Sequence, residues 1–168
     1  MDIESMNGTE ELLALTPENT DMEGKYLTFF VGEQIFSLPI ACVIEIVQVQ
    51  PINTMPELPY YVKGIINMRG KVIPVIDMNL RFGRSEREYT ERTCIIIIEI
   101  NGNQVGFIVD AVDEVLDITP ENISPPPALA ERGSTYIVGV GKLEGKIVLM
   151  LDSAILVGEQ DLNMLGSM

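Results

Sequence analysis

Histidine is absent from this 168-residue chain, and that absence excludes more chemistry than any residue present. It removes Ser-His-Asp and Cys-His nucleophilic machinery, the commonest general base and a phosphoaccepting histidine. Carboxylate, lysine and tyrosine chemistry stay open. Cysteine is nearly as scarce: Cys42 and Cys94 each sit in an apolar stretch with no close partner. Neither a disulfide nor a zinc site, which needs three or four clustered ligands, is expected, and both thiols read as buried and reduced. No apolar run approaches the roughly 20 residues needed to span a bilayer. The opening Met1-Asp2-Ile3-Glu4-Ser5 has no basic region ahead of an apolar stretch, so no secretory signal is expected. The chain is expected to be soluble and cytoplasmic, with no cofactor and no metal.

Basic residues are few, and the formal net charge is −14. Seven of the eleven lie between Lys63 and Arg92 against four acids, which leaves the rest of the chain strongly acidic. Such a balance argues against nonspecific binding to nucleic acid or to an anionic membrane. The local basic segment suits an acidic protein surface or a solvated loop.

Residues 1–24 carry seven acids and no base, and the expectation there is a disordered acidic tail. From Tyr26 onward the texture is β. Leu27, Phe29 and Val31 alternate with Tyr26, Thr28 and Phe30. Val- and Ile-rich runs at Ile35–Ile40, Val62–Met68, Val72–Asp77, Thr93–Ile100, Val105–Val109 and Ile147–Leu151 follow, punctuated by Gly70-Lys71, Asn101-Gly102 and Gly145-Lys146. Short strands separated by such turns indicate an all-β barrel or sandwich. Around Val43 the pattern is ambiguous: Ile40, Val43, Ile44 and Val47 fit a helix face, yet Val43–Val49 is apolar enough for a strand. Pro125-Pro126-Pro127 reads as a stiff brace between elements. Ser153–Leu165 reads as one or two short helices around Gly158.

The chain repeats itself. Gly32-Glu33-Gln34-Ile35 returns as Gly102-Asn103-Gln104-Val105, an offset of 70, and Val43–Val47 returns as Val112–Leu116, an offset of 69. The block from Gly64 to Asp77 parallels Gly139 to Asp152, an offset of 75. Three blocks in one order predict two related β-subdomains. Each is near 60 residues, a marginal core, so they should pack together with a binding groove between them.

Asp77 and Asp152 occupy equivalent places in the repeats. As a catalytic pair with Arg69 they would make the protein an enzyme or a small-molecule binder. As turn caps accepting backbone N–H bonds they are structural, and duplication by symmetry favours the cap. Arg69 breaks the symmetry, because its counterpart is Glu144. Its planar fork suits either a partner's carboxylates and carbonyls or an internal salt bridge across the subdomain seam.

The run from Leu58 to Asp77, Leu-Pro-Tyr-Tyr-Val-Lys-Gly-Ile-Ile-Asn-Met-Arg-Gly-Lys-Val-Ile-Pro-Val-Ile-Asp, resembles the signature block of CheW-type chemotaxis coupling proteins. Leu38-Pro39-Ile40 with Val43, Glu45 and Ile46 is similar to the preceding block. Val105-Gly106, Val109-Asp110, Val112, Glu114-Val115-Leu116 and the proline run resemble the third. Met68 and Met78-Asn79 depart from the commoner leucine and leucine-arginine. The resemblance covers about Lys25 to Leu156. It implies two intertwined SH3-like five-stranded barrels with short helices, arranged as a CheW-like domain over 25–156, followed by a short helix or tail over 157–168. It also implies no catalysis. Such a protein would be an adaptor that binds the regulatory domain of the chemotaxis histidine kinase and the cytoplasmic tip of chemoreceptors. It would be recruited to receptor arrays at the inner face of the membrane without inserting. Val43, Glu45, Ile46, Gly64 and Arg69 are then the candidate partner-binding residues. The chain is expected to be a freestanding adaptor rather than a module joined to a receiver domain.

Overall fold

A computed structural model describes residues 23–126 and 136–158. Most of the expected acidic tail, Pro127 and the C-terminal stretch past Gly158 lie outside them. Eleven strands are described: β1 (Lys25–Val31), β2 (Gln34–Pro39), β3 (Val43–Gln48), β4 (Val62–Met68), β5 (Lys71–Asp77), β6 (Cys94–Ile100), β7 (Asn103–Val109), β8 (Ala111–Asp117), β9 (Ile123–Ser124), β10 (Ile137–Leu143) and β11 (Lys146–Leu151). Two one-turn helices follow β5 and β11: α1 (Met78–Arg81) and α2 (Ser153–Val157). The fold is mainly β, as the strand-length apolar runs require.

The strands form two sheets, β8-β1-β2-β11-β10-β9 and β3-β6-β7-β5-β4. Replacing each strand by its repeat counterpart (β1 by β6, β2 by β7, β3 by β8, β4 by β10, β5 by β11) turns one order into the other. Neither sheet is one half of the sequence. The halves exchange strands where β2 runs parallel to β11 and β5 runs parallel to β7, so the two units are intertwined. Register also corrects the first repeat offset. Val31 pairs with Gln34 and Ile100 with Asn103, so the β1–β2 and β6–β7 hairpins match at 69 rather than 70. The extra step arises because the glycine occupies the first turn position in Gly32-Glu33 and the second in Asn101-Gly102, where Asn101 also takes a positive φ.

Each sheet curls until its edges meet. After β3 the chain returns so that Asn53 and Ile65 of β4 exchange two backbone hydrogen bonds of 2.9 Å. At the matching place β9 pairs with β10. Closure removes the open edges that would otherwise template aggregation. In the text below, the barrel built around β1 and β2 is the first and the one around β6 and β7 the second.

Three apolar clusters result. One fills the second barrel (Ile66, Ile73, Val75, Ile95, Ile97, Ile108), and a smaller one fills the first (Ile118, Val148, Met150). The largest lies between the sheets, where Leu27, Phe29, Val31 and Leu38 meet Ile96, Ile98, Val105 and Phe107. Each such side chain, fully buried, contributes about 1.5–3 kcal/mol. The space between the units, expected to be a groove, is therefore a packed core. Its rim is pinned by Arg81 at the end of α1. The Arg81 Nε–H donates to the Leu156 carbonyl of α2 at 2.8 Å, and the guanidinium lies 5.1 Å from the Tyr61 ring and 4.9 Å from that of Tyr136. Tyr61 and Tyr136 are repeat counterparts, and each accepts through its backbone carbonyl from the N–H of Asp77 or Asp152.

Candidate functional site

The segment Val43–Gln48 is a strand, preceded by a 3-10 turn at Ile40–Cys42. Its helix-like spacing has a local cause. In a regular strand, residues three apart face opposite sides. Here the register against β6 shifts between Val43 and Glu45, and this bulge lets Val43 and Ile46 both pack on the core between the barrels. Ile44 and Val47 pack inside the second barrel instead. Val112 and Val115 keep the same three-residue spacing on β8. Glu45 is left at the strand edge with its carboxylate partly open to solvent.

Arg69 and Gly70 form the two-residue turn between β4 and β5, both at positive φ (53° and 85°). The turn is held by Asn67, whose Oδ1 accepts from the Gly70 N–H at 2.9 Å. Asparagine commonly takes the first position of such a turn; arginine there costs about 1 kcal/mol. The guanidinium grips Glu45 from two nitrogens: Nη2–Oε2 at 2.8 Å, Nη2–Oε1 at 3.0 Å and Nη1–Oε1 at 3.2 Å. Its side chain is still 69% exposed. An exposed pair of this kind is worth no more than about 1 kcal/mol, so it orients the fork more than it stabilises the barrel. The ion pair joins β3 to the β4–β5 turn within one barrel; it does not bridge the two subdomains.

Gly64 is buried and shapes this place from beneath. Its φ is +151°, and a Cβ would stand 2.2 Å from the Asn53 carbonyl oxygen, so only glycine allows the closing pair with Asn53. Val43, Glu45, Ile46 and Arg69 thus share one edge of the second barrel, and Gly64 supports the closure beside them.

Asp77 and Asp152 are helix caps. Asp77 Oδ1 accepts from the Leu80 N–H at 3.2 Å, and Asp152 Oδ1 accepts from the Ile155 N–H at 3.0 Å. Asp77, 1% exposed, also accepts from the Tyr89 hydroxyl at 3.0 Å; burial and this carboxylate hold the Tyr89 phenol above its usual range. Neither aspartate meets Arg69, whose carboxylate partner is Glu45. The thiols are half-buried rather than fully enclosed. Burial pushes Cys42 up to about 11 and Cys94 up to about 12, so at neutral pH both are un-ionised and poor nucleophiles. Among the described residues, no helix is long and apolar enough to cross a membrane.

Residues 25–161 match the model of the CheW-like domain. The chain belongs to the CheW-like family. It is 35% identical over 127 residues to the chemotaxis protein CheW of Rhizobium meliloti, covering 75% of this chain and 82% of that one. With the chemotaxis protein CheW of Klebsiella aerogenes it shares 29% over 158 residues, 94% of each. The crystal structure of the scaffolding protein TtCheW from Thermoanaerobacter tengcongensis superposes with a TM-score of 0.76 at 37% identity, over 82% of this chain and 94% of that chain. The SH3-like description of the barrels fits this likeness. Family membership makes the chain a chemotaxis adaptor rather than an enzyme, in keeping with the capping role of both aspartates.

Two features escaped the sequence reading. Lys146, Asp113 and Glu114 form the first barrel's version of the Glu45–Arg69 pair, with Lys146 Nζ 2.8 Å from Glu114 Oε2 and 3.1 Å from Asp113 Oδ2. The equivalence of Glu114 with Glu45 was its available signal. Arg81, the rim pin, corresponds to Leu156, so it breaks the repeat just as Arg69 does.

Proposed function

We propose that this adaptor couples methyl-accepting chemotaxis receptors to the chemotaxis histidine kinase by binding both, and that Val43, Glu45, Ile46 and Arg69 form its receptor-facing edge. The observation that carries this reading is the Arg69 fork: set on a strained turn, oriented by Glu45 and largely open to solvent, within the block most like the family's signature. Backbone strain at an exposed, non-glycine turn is commonest where function demands it. Guanidinium donors not engaged by Glu45 can reach carboxylates or helix-end carbonyls on a receptor tip. Because Val43 and Ile46 are half-buried, a receptor helix would lie across the edge of β3 and touch their outer surfaces, not enter a groove between barrels. Gly64 would act indirectly, through closure. The kinase's regulatory domain would take a separate face, so that one adaptor holds both partners at high effective concentration. Residues 25–156 would suffice for these contacts, and recruitment to receptor arrays would place the protein at the inner face of the membrane without insertion.

The test is a pull-down of Arg69→Ala and Arg69→Lys with a receptor-tip fragment and with the kinase's regulatory domain, alongside receptor-dependent kinase activation. Both variants should fold, keep the kinase contact and lose receptor coupling, because lysine retains charge without the planar fork. Full coupling by both variants would remove Arg69 from the site.

A further inference from the structure

The basic segment between Lys63 and Arg92 divides in the structure into cations that hold the fold and cations that do not. Lys63 pairs with Glu86, Arg69 with Glu45, and Arg81 reaches the Leu156 carbonyl. Arg84 clasps the β1–β2 turn, donating from Nη1 to the Val31 carbonyl at 2.7 Å and from Nη2 to Gln34 Oε1. Arg87 is committed only loosely: its Nη1 lies 3.5 Å from Asp110 Oδ2, and its side chain is 56% exposed. That carboxylate is already served at shorter range, by the Gly32 N–H at 2.6 Å and the Asn79 amide at 3.0 Å. Arg92 bonds to Thr90 through its backbone N–H, and its guanidinium has no partner among the described residues.

Arg87 and Arg92 line one cavity of about 330 Å³. Its apolar wall is Phe30 with Ala111, its register partner across β1 and β8. Thr90 and Thr93 line it too, and their hydroxyl oxygens accept from backbone N–H groups, of Arg92 at 3.1 Å and of Thr90 at 2.8 Å. Each hydroxyl hydrogen is thereby left to donate, and Thr93 is only 5% exposed. The wall that carries these donors is fixed on the barrels by Arg84, by the Lys63–Glu86 pair and by the Tyr89 hydroxyl on Asp77. The site therefore needs little ordering before a ligand arrives. We propose that this cavity binds an acidic segment of a partner protein, with one carboxylate side chain of that segment held by Arg87 and Arg92. Two guanidinium forks suit a carboxylate, Phe30 and Ala111 suit its methylene stem, and Glu88, which also lines the cavity, can accept a peptide N–H. A bare inorganic anion would gain nothing from Phe30 and would be repelled by Glu88. None of these residues belongs to the receptor-facing edge, so the inference stands apart from that reading.

The test uses a fluorescein-labelled hexaglutamate peptide, with its glutamine counterpart as control, added to the full-length chain. At a net charge of −14 the protein repels such a peptide overall, so binding would mark a local cationic site. The glutamate peptide should raise fluorescence anisotropy and the glutamine one should not, and the signal should fall as salt is raised. Arg92→Ala and Arg87→Ala should each weaken binding by about fivefold, as expected for one exposed ion pair, and together should abolish it. Arg92→Ala should keep the wild-type melting curve, because no described residue leans on that guanidinium, and it alone decides the outcome if Arg87→Ala unfolds. Lys142→Ala, which removes an exposed cation from the first barrel, should bind as the wild type does. No binding of the glutamate peptide, unchanged affinity in Arg92→Ala, or an equal loss in Lys142→Ala would overturn the proposal. So would displacement by inorganic phosphate as readily as by unlabelled peptide, which would leave an anion site without peptide specificity.

Discussion

The two barrels share one strand order yet tie their closing seams differently. In the second, Glu45 on β3 meets Arg69 on the turn; in the first, Glu114 on β8 meets Lys146, one position past the turn. The second seam places its cation at a strained φ and leaves it mostly in solvent. The first places its cation on a regular strand residue that is largely covered, because Glu144-Gly145 has positive φ only at the glycine. Both pairs anchor the same two elements, so anchoring alone does not require the strain at Arg69. On the function proposed above, the difference separates a residue shaped for an outside partner from one shaped for its own barrel.

Substitutions at matched positions test that separation. The largest effect is expected at the closing glycines. Gly64→Ala forces a Cβ against the Asn53 backbone at 2.2 Å and should cost about 3 kcal/mol or more in denaturant unfolding. Gly139→Ala comes closest to the Ile123 side chain, at 3.2 Å, with Met150 and the Ser124 carbonyl at ordinary contact distance, and should cost less than about 1 kcal/mol; equal losses would show that the two closures are built alike.

Next come the caps. Asp77→Ala removes a cap and strands the Tyr89 hydroxyl, for about 2–3 kcal/mol together, against about 1 kcal/mol for Asp152→Ala. Thermal midpoints of the two variants rank them directly, and a reversed order would contradict the assigned partners.

The seam pairs should matter less. Arg69→Ala and Lys146→Ala are each expected to change stability by less than about 1 kcal/mol, while only the former abolishes receptor coupling. The Lys146 pair also depends on pH. Hydrogen bonding to Glu114, against the opposing effect of burial, holds Lys146 above its ordinary value of 10.5. Its contribution is therefore complete below that value and lost as pH rises through the folded-state pKa. Stability measured from pH 9 to 12 for the wild type and Lys146→Ala should converge at the alkaline end, and parallel curves would refute the linkage. The smallest effect belongs to the acidic segment: deletion of residues 1–22 should shift stability by less than about 0.5 kcal/mol, and loss of cooperative melting would show that it packs on the barrels.

Much of this was legible in the residues. Val/Ile runs with Gly-containing turns required short strands, because β-branched side chains favour extended backbone and glycine supplies positive φ. The repeats foretold paired units, and duplication favoured caps over catalysts at Asp77 and Asp152, which the bonds to Leu80 and Ile155 bear out. β8 and β10 were visible only as repeat blocks, since acids and glycines interrupt their apolar pattern.

Local pattern determined which segments are strands, where the chain turns and that the core is duplicated, since backbone sterics and side-chain alternation act over a few residues. The family resemblance implied intertwined barrels, but only the tertiary structure decided which strands the halves exchange, that the space between them is filled rather than grooved, and that Arg69 reaches Glu45. Strand exchange and packing depend on which distant surfaces exclude water together, and an ion pair across 24 residues depends on how far the sheet curls. Neither quantity is written in any short stretch of the chain.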